Sequence, residues 1–198
     1  MKHDHVTAQC RIDTPLGPMT AAATEHGLAG LWFDGQSHHP GPLAAPTKPA
    51  QRWLKAAEQS LAAYFERGEW RQDLPLDLSA GTAFQQAVWH ALLALPPGST
   101  STYGAIAKQA GRPAAVRAAG AAVGRNPVSV LVPCHRVLGH GGALTGYAGG
   151  LDRKRALLAH EGALRACTVT ARAPAAHGAD AGAGTGAGTT PMQASAQT

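Results

Sequence analysis

Residues 102–123 read Thr-Tyr-Gly-Ala-Ile-Ala-Lys-Gln-Ala-Gly-Arg-Pro-Ala-Ala-Val-Arg-Ala-Ala-Gly-Ala-Ala-Val. Two short helical runs are broken here by Gly111-Arg112-Pro113. The first is expected over Tyr103–Ala110, with Ser101 or Thr102 as its cap, and the second over Ala114–Val123. Two short helices joined by a glycine-containing turn make a helix-turn-helix candidate. Arg117 falls mid-way along the second helix amid alanines. Such a surface either lies close against a nucleic-acid groove, with Arg117 entering the base stack, or packs its small residues on a neighbouring helix.

Downstream, Gly124–Pro127 breaks that helix. Val128–Val132 is β-branched and apolar, and is expected to be a short buried strand. It leads into Pro133-Cys134-His135-Arg136-Val137. Upstream, Thr82 is placed to cap a helix over Ala83–Leu95, and Pro96-Pro97-Gly98 ends it. Gly139–Gly150 reads as a loop and Leu151–Glu161 as a last helix. The front of the chain differs in kind. Val6–Ile12, Met19–Thr24 and Leu28–Phe33 read as strands separated by turn chemistry. A loop over residues 35–49 leads to an amphipathic helix from Pro49 to Phe65, stopped by Gly68. The expectation is an α+β chain: a small N-terminal antiparallel sheet with a helix over residues 1–78, then a helical domain of winged helix-turn-helix type over 79–165. Residues 166–198 are mainly Ala, Gly and Thr and are expected to be disordered.

Charge divides along the same line. Residues 1–79 carry 7 Lys or Arg against 9 Asp or Glu, whereas residues 80–165 carry 9 against 2. A basic half points to a polyanionic partner or to a merely basic surface. Three scattered cysteines form no disulfide framework, and a free thiol suits a reducing compartment. No run approaches the roughly 18–20 apolar residues of a membrane span, and no signal peptide is read at the N-terminus. The expectation is a soluble cytoplasmic monomer without a membrane partner. No metal site is expected either, because the pairs His3/His5 and His38/His39 lack the spacing of a structural zinc site.

The chemistry centres on Cys134. A thiol is a strong nucleophile only as thiolate. His135 can take its proton through one water if a carboxylate orients the ring. The second half offers only Asp152 and Glu161 for that task, and Glu161 is preferred. Read from Cys-His alone, Cys134 is more often a buried inert residue than a nucleophile. Tyr103, at the start of a helix, can reach a phosphate or a displaced base. Asn126 can tie its turn to the Cys134 loop.

Taken together, these segments resemble the O6-alkylguanine-DNA alkyltransferases (methylated-DNA–protein-cysteine methyltransferases). The matching pieces keep family order from about residue 80 to 164: Gly81-Thr82-Ala83-Phe84-Gln85, Val88-Trp89, Thr102-Tyr103-Gly104, Arg117-Ala118-Ala119-Gly120, Asn126-Pro127, Pro133-Cys134-His135-Arg136-Val137, Gly146-Tyr147 and Gly149-Gly150-Leu151. Residues 6–78 match that family's ribonuclease-H-like N-terminal domain more weakly. The resemblance implies direct-reversal repair of double-stranded DNA. An alkyl group on O6-methylguanine, and secondarily on O4-methylthymine, would pass irreversibly to Cys134, once per molecule and without a cofactor. It implies His135, through water, and Glu161 as activators, Tyr103 as proton donor to the departing guanine, and Asn126 as the link to the recognition helix. Arg117 would replace the flipped nucleotide, with Ala118, Gly120 and Arg125 on the same DNA-facing surface. Val137, Tyr147, Ala148 and Gly149 would wall the pocket, and the carbonyls of Cys134 and Val137 would accept from the guanine 2-amino group. Ala148 stands where some members have serine. The other readings are a lesion-binding module without transfer and a cysteine hydrolase.

Overall fold

The structure is a computed structural model and describes residues 5–166. Three strands, β1 (Ala8–Ile12), β2 (Met19–Ala23) and β3 (Leu28–Phe33), form an antiparallel sheet in the order β1-β2-β3. Their alternating and fully apolar runs meet the expected strand positions to within two residues at either end. β3 is buried along its whole length, which is why it reads as a continuous apolar run rather than an alternating one. Helix α1 (Arg52–Arg67) covers the sheet with Leu54, Ala57, Leu61 and Tyr64. Its start is capped by the Gln51 side chain, and Gly68, at φ 68°, ends it in the left-handed conformation that costs glycine least.

The second half opens with α2 (Ala83–Leu93), where Thr82 and Gln85 form a reciprocal capping box. Next come β4 (Ser101–Thr102), α3 (Tyr103–Gln109) and α4 (Val116–Gly124). The helix-turn-helix is present, but α4 starts two residues later than expected. Ala115 sits at φ −92°, ψ 39°, outside helical geometry, so Arg117 lies in the first turn rather than mid-helix. The alanines divide between the two readings. Ala119 and Ala122 are buried against the neighbouring helices, whereas Ala118 and Ala121 face solvent. The indole of Trp89 fixes this packing by donating to the Ala122 carbonyl at 2.9 Å.

The expected strand over Val128–Val132 is not formed. Only Val128 bridges, in parallel, to Leu31 of β3. Leu31 donates to the Pro127 carbonyl and Ser129 donates to the Leu31 carbonyl, both at 2.8 Å. Val130 then turns at φ 71°, a conformation that valine rarely adopts. The backbone groups a strand would have paired are taken by Asn126 instead. Its carbonyl oxygen accepts from Val128 N–H at 3.0 Å and its amide donates to the Val132 carbonyl at 2.8 Å. After a 3-10 helix at Cys134–Arg136, β5 (Val137–Leu138) pairs in parallel with β4. The loop from residue 139 to 150 holds a 3-10 turn at His140–Gly142, and α5 (Leu151–His160) closes the fold.

One buried cluster runs from β1 through α1, α2, α3 and α4 to Leu157 of α5. Residues Ala163–Ala166 form a final 3-10 helix. Of the segment expected to be disordered, residues 167–198 lie outside the described residues, as does His3. Among the described residues no helix is long and apolar enough to cross a membrane.

Candidate functional site

The Asn126 turn delivers Cys134 to the base of a cleft of about 230 Å³. Cys134 is 4% exposed. Tyr103 and Gly120, from the two helices of the helix-turn-helix, line one part of this cleft; Tyr147 and Ala148 line another. The Asn126 amide also donates to Cys134 Sγ at 3.0 Å. Burial pushes the thiol above its ordinary pKa, against which the Asn126 amide, the Lys154 charge and nearby backbone N–H groups act in favour of the thiolate.

His135 and Glu161 meet directly. The imidazole Nε2 lies 2.8 Å from Glu161 Oε1. Burial acts to raise the Glu161 pKa, but hydrogen bonds from His135 and Arg136 and their charges hold it well below the usual carboxylate range. An ionised carboxylate only accepts, so Nε2 carries the proton. Burial lowers the His135 pKa in spite of Glu161, so the ring is neutral near neutral pH. Nδ1 is then a lone-pair acceptor, and it is buried without a hydrogen-bond partner among the described residues. The result is an oriented base, next in sequence to the thiol, with its free nitrogen unused. Asp152, the other carboxylate considered, is exposed and pairs with Arg155.

The remaining expected residues divide. Tyr103 reaches the loop at residues 145–146, where its hydroxyl donates to the Thr145 carbonyl at 3.4 Å. Arg117, Ala118 and Arg125 are exposed on or beside α4. Arg117 makes no hydrogen bond or ion pair among the described residues, which leaves its guanidinium free. Gly149 allows Tyr147 to pack, because a Cβ there would stand 2.7 Å from the Tyr147 ring. The carbonyls of Cys134 and Val137, expected to be open, already accept from Val137 N–H and from Lys154, so each keeps only its second lone pair. His38, considered from sequence only as half of a pair without zinc-site spacing, lines the cleft with Ser37. Ser37 N–H donates to the Ala148 carbonyl at 2.8 Å.

Three residues of the site escaped the sequence reading. The Arg136 guanidinium grips both oxygens of Glu161 at 2.8 Å, donates to the Leu95 carbonyl, and stacks 4.2 Å from the Trp70 ring. Tyr64 of α1 donates to Glu161 Oε1 at 2.8 Å, so the N-terminal half completes the site. Lys154 is buried and donates to three carbonyls around the cleft. A signal for the last was available. Lys154, Leu157, Leu158 and Glu161 recur at i, i+3, i+4 and i+7, so one charge lies on the inner face of α5 and a second at its C-cap on the same side. Among the described residues no group of three or more His, Cys, Asp or Glu could hold a metal ion.

Comparison with known proteins bears on this arrangement. Residues 83–163 match the 6-O-methylguanine DNA methyltransferase DNA binding domain, and residues 11–78 match the ribonuclease-like domain of the same family. A methylated-DNA–protein-cysteine methyltransferase of Mycobacterium tuberculosis is 47% identical over 147 residues, 74% of this chain and 87% of the relative. The chain belongs to the 6-O-methylguanine DNA methyltransferase family. A second methylated-DNA–protein-cysteine methyltransferase, from Methanosarcina acetivorans, is 44% identical over 153 residues, covering 76% of this chain and 96% of the relative. Among solved structures, that of Mycobacterium tuberculosis OGT in complex with DNA superposes with a TM-score of 0.71 at 45% identity, covering 78% of this chain and 92% of that one. Membership accounts for the pairing of a buried cysteine with a basic helix-turn-helix, which neither feature explains alone.

Proposed function

We propose that the protein repairs O6-alkylguanine in double-stranded DNA by moving the alkyl group irreversibly to its own Cys134. One observation carries the reading. The Cys134 sulfur lies at the base of a cleft bordered by the helix-turn-helix, beside a neutral His135 whose Nε2–H is held by Glu161 and whose Nδ1 is free. A water between Sγ and Nδ1 would carry the thiol proton to the imidazole. The thiolate attacks the alkyl carbon, an S–C bond forms, and the C–O6 bond breaks with its electron pair leaving on guanine. A proton from Tyr103 quenches that charge, and the proton on His135 restores the tyrosine. Overall, hydrogen replaces the alkyl group on the base. The thioether has no path back, so each molecule acts once.

On this reading α4 lies in the minor groove. Arg117 fills the stack left by the extruded nucleotide, and Ala118, Gly120 and Arg125 allow or support close approach. Val137, Tyr147, Ala148 and Gly149 wall the base pocket. Ala148 offers no hydroxyl to O6, so only its backbone N–H serves there. Labour divides near residue 79: the first unit contributes Tyr64, and the second holds DNA and accepts the alkyl group. The protein works as a cytoplasmic monomer with O4-methylthymine as a secondary substrate.

The test is mass spectrometry of the Cys134 peptide after incubation with a duplex carrying O6-methylguanine. The expected product has methyl in place of the thiol hydrogen, in an amount that never exceeds one per protein. Tight lesion binding with no added mass would instead identify a lesion-binding module, and repeated turnover on a small ester would identify a hydrolase.

A further inference from the structure

Lys154 is a fully buried cation that the reaction above leaves without a task. Its ammonium donates to the carbonyls of Val137 at 2.6 Å, Thr145 at 2.7 Å and Gly146 at 3.3 Å. These acceptors lie on two separate segments. Val137 ends the Cys134 turn, and Thr145 and Gly146 belong to the loop that faces Tyr103. No carboxylate pairs with Lys154 among the described residues. A buried ammonium held by neutral carbonyls alone is costly, and burial accordingly lowers its pKa to about 8.

The other charged groups near the sulfur are already accounted for. Glu161, just past the end of α5, and Arg136 neutralise one another. His135 is neutral, and burial keeps the Tyr147 hydroxyl protonated. Arg153 donates to the carbonyls of Leu16 and Gly149 and lies over the Phe33 ring. Tyr103 of α3 spends its hydroxyl on Thr145. The group left that can supply an anion beside Lys154 is Cys134, and the charged form of each favours the charged form of the other.

We propose that Lys154 is a positioning residue with two linked tasks: it clamps the Cys134 turn to the opposite wall of the cleft, and its charge holds the sulfur as thiolate. The proposal rests on Cys134 being the alkyl acceptor. Its consequence is that the driving force for ionisation is shared between the His135–Glu161 couple, which removes the proton, and Lys154, which stabilises what remains.

The test compares Lys154→Gln and Lys154→Met with the wild type. Carbamidomethylation of Cys134 by iodoacetamide is followed against pH by peptide mass spectrometry, so no DNA is involved. In both variants the midpoint should move to higher pH, and reaction at neutral pH should fall at least about tenfold, the effect of one pKa unit on the thiolate fraction. Glutamine keeps amide donors for the carbonyls but lacks the charge. If it restores the wild-type profile, or if neither variant shifts, the electrostatic task is refuted. A second measurement needs no variant. The Lys154 ammonium, titrated by NMR in the wild type, should show a lower pKa once Cys134 is carbamidomethylated, because the compensating anion is gone; an unchanged value overturns the proposal. Failure of either test leaves methyl transfer from DNA to Cys134 separately measurable, whereas absence of that transfer would sink the repair reading instead.

Discussion

Replacing Glu161 by glutamine tests the electrostatic architecture of the site. The Glu161 side chain is 2% exposed and accepts five hydrogen bonds: from His135, twice from Arg136, from Tyr64 and from the Gly98 backbone. Glutamine keeps the shape but loses the charge, and it turns an NH2 group toward donors. The buried Arg136 guanidinium is then uncompensated. Removing one partner of a buried ion pair costs about 3–5 kcal/mol, which for a chain of this size corresponds to a fall in Tm of about 6–20 °C.

Linkage adds a sign. Because the folded-state pKa of Glu161 lies below its unfolded value, its contribution is fully present above the ordinary carboxylate range, about pH 4.3. It is lost as pH falls from there through the folded value. Thermal melts followed by circular dichroism at neutral pH and at acid pH read both effects. Glu161→Gln should melt lower at neutral pH and should lose less further stability on acidification than the wild type. The double variant Arg136→Met/Glu161→Gln should recover part of the loss, because no buried charge is left alone. A single variant within about 1 kcal/mol of wild type, or one with the wild-type acid dependence, would refute the reasoning.

Three further outcomes follow from individual contacts. Asn126→Ala strips partners from Val128 N–H, the Val132 carbonyl and Cys134 Sγ; urea denaturation should show a loss of about 2–4 kcal/mol, with slower iodoacetamide labelling of Cys134. Arg117→Ala removes an exposed, unpaired side chain, so stability should stay within about 0.5 kcal/mol, while methyl transfer from duplex DNA slows far more than attack on free O6-benzylguanine. Equal slowing on both substrates would remove Arg117 from the role of replacing the flipped base. Gly149→Ala drives a methyl group into the Tyr147 ring and toward Phe33, at 3.2 Å; a cost of about 1–3 kcal/mol should appear in the melt, and transfer should slow as Tyr147 shifts. Wild-type rates with normal stability would show that the Tyr147 wall has no part in binding the base.

Much of the chain was legible from local chemistry. Gly68, the Thr82–Gln85 box and the Gly111-Arg112-Pro113 break act within a few residues of themselves, so helix ends and the helix-turn-helix could be read directly. Glu161 could be named because the basic half holds only two carboxylates and one lies at the end of the last helix. The segment before Cys134 could not be read that way. Its β-branched residues promise a strand, but Asn126 captures the backbone groups and Val130 adopts a left-handed turn, a choice made by one side chain folding back over its own loop.

The sequence by itself determined which residue types are present for nucleophilic chemistry beside a DNA-reading motif, because strand period, helix period and capping are local properties. Only the tertiary structure decided which charges meet. Tyr64 lies 97 positions from Glu161, and Arg136 and Lys154 carry the same sign yet receive opposite treatment, one paired with a carboxylate and the other held by backbone carbonyls alone. Burial and distance set the protonation states of Cys134, His135 and Glu161. Both are properties of the packed chain, because the electrostatic strength of a contact depends on the water that folding removes from around it.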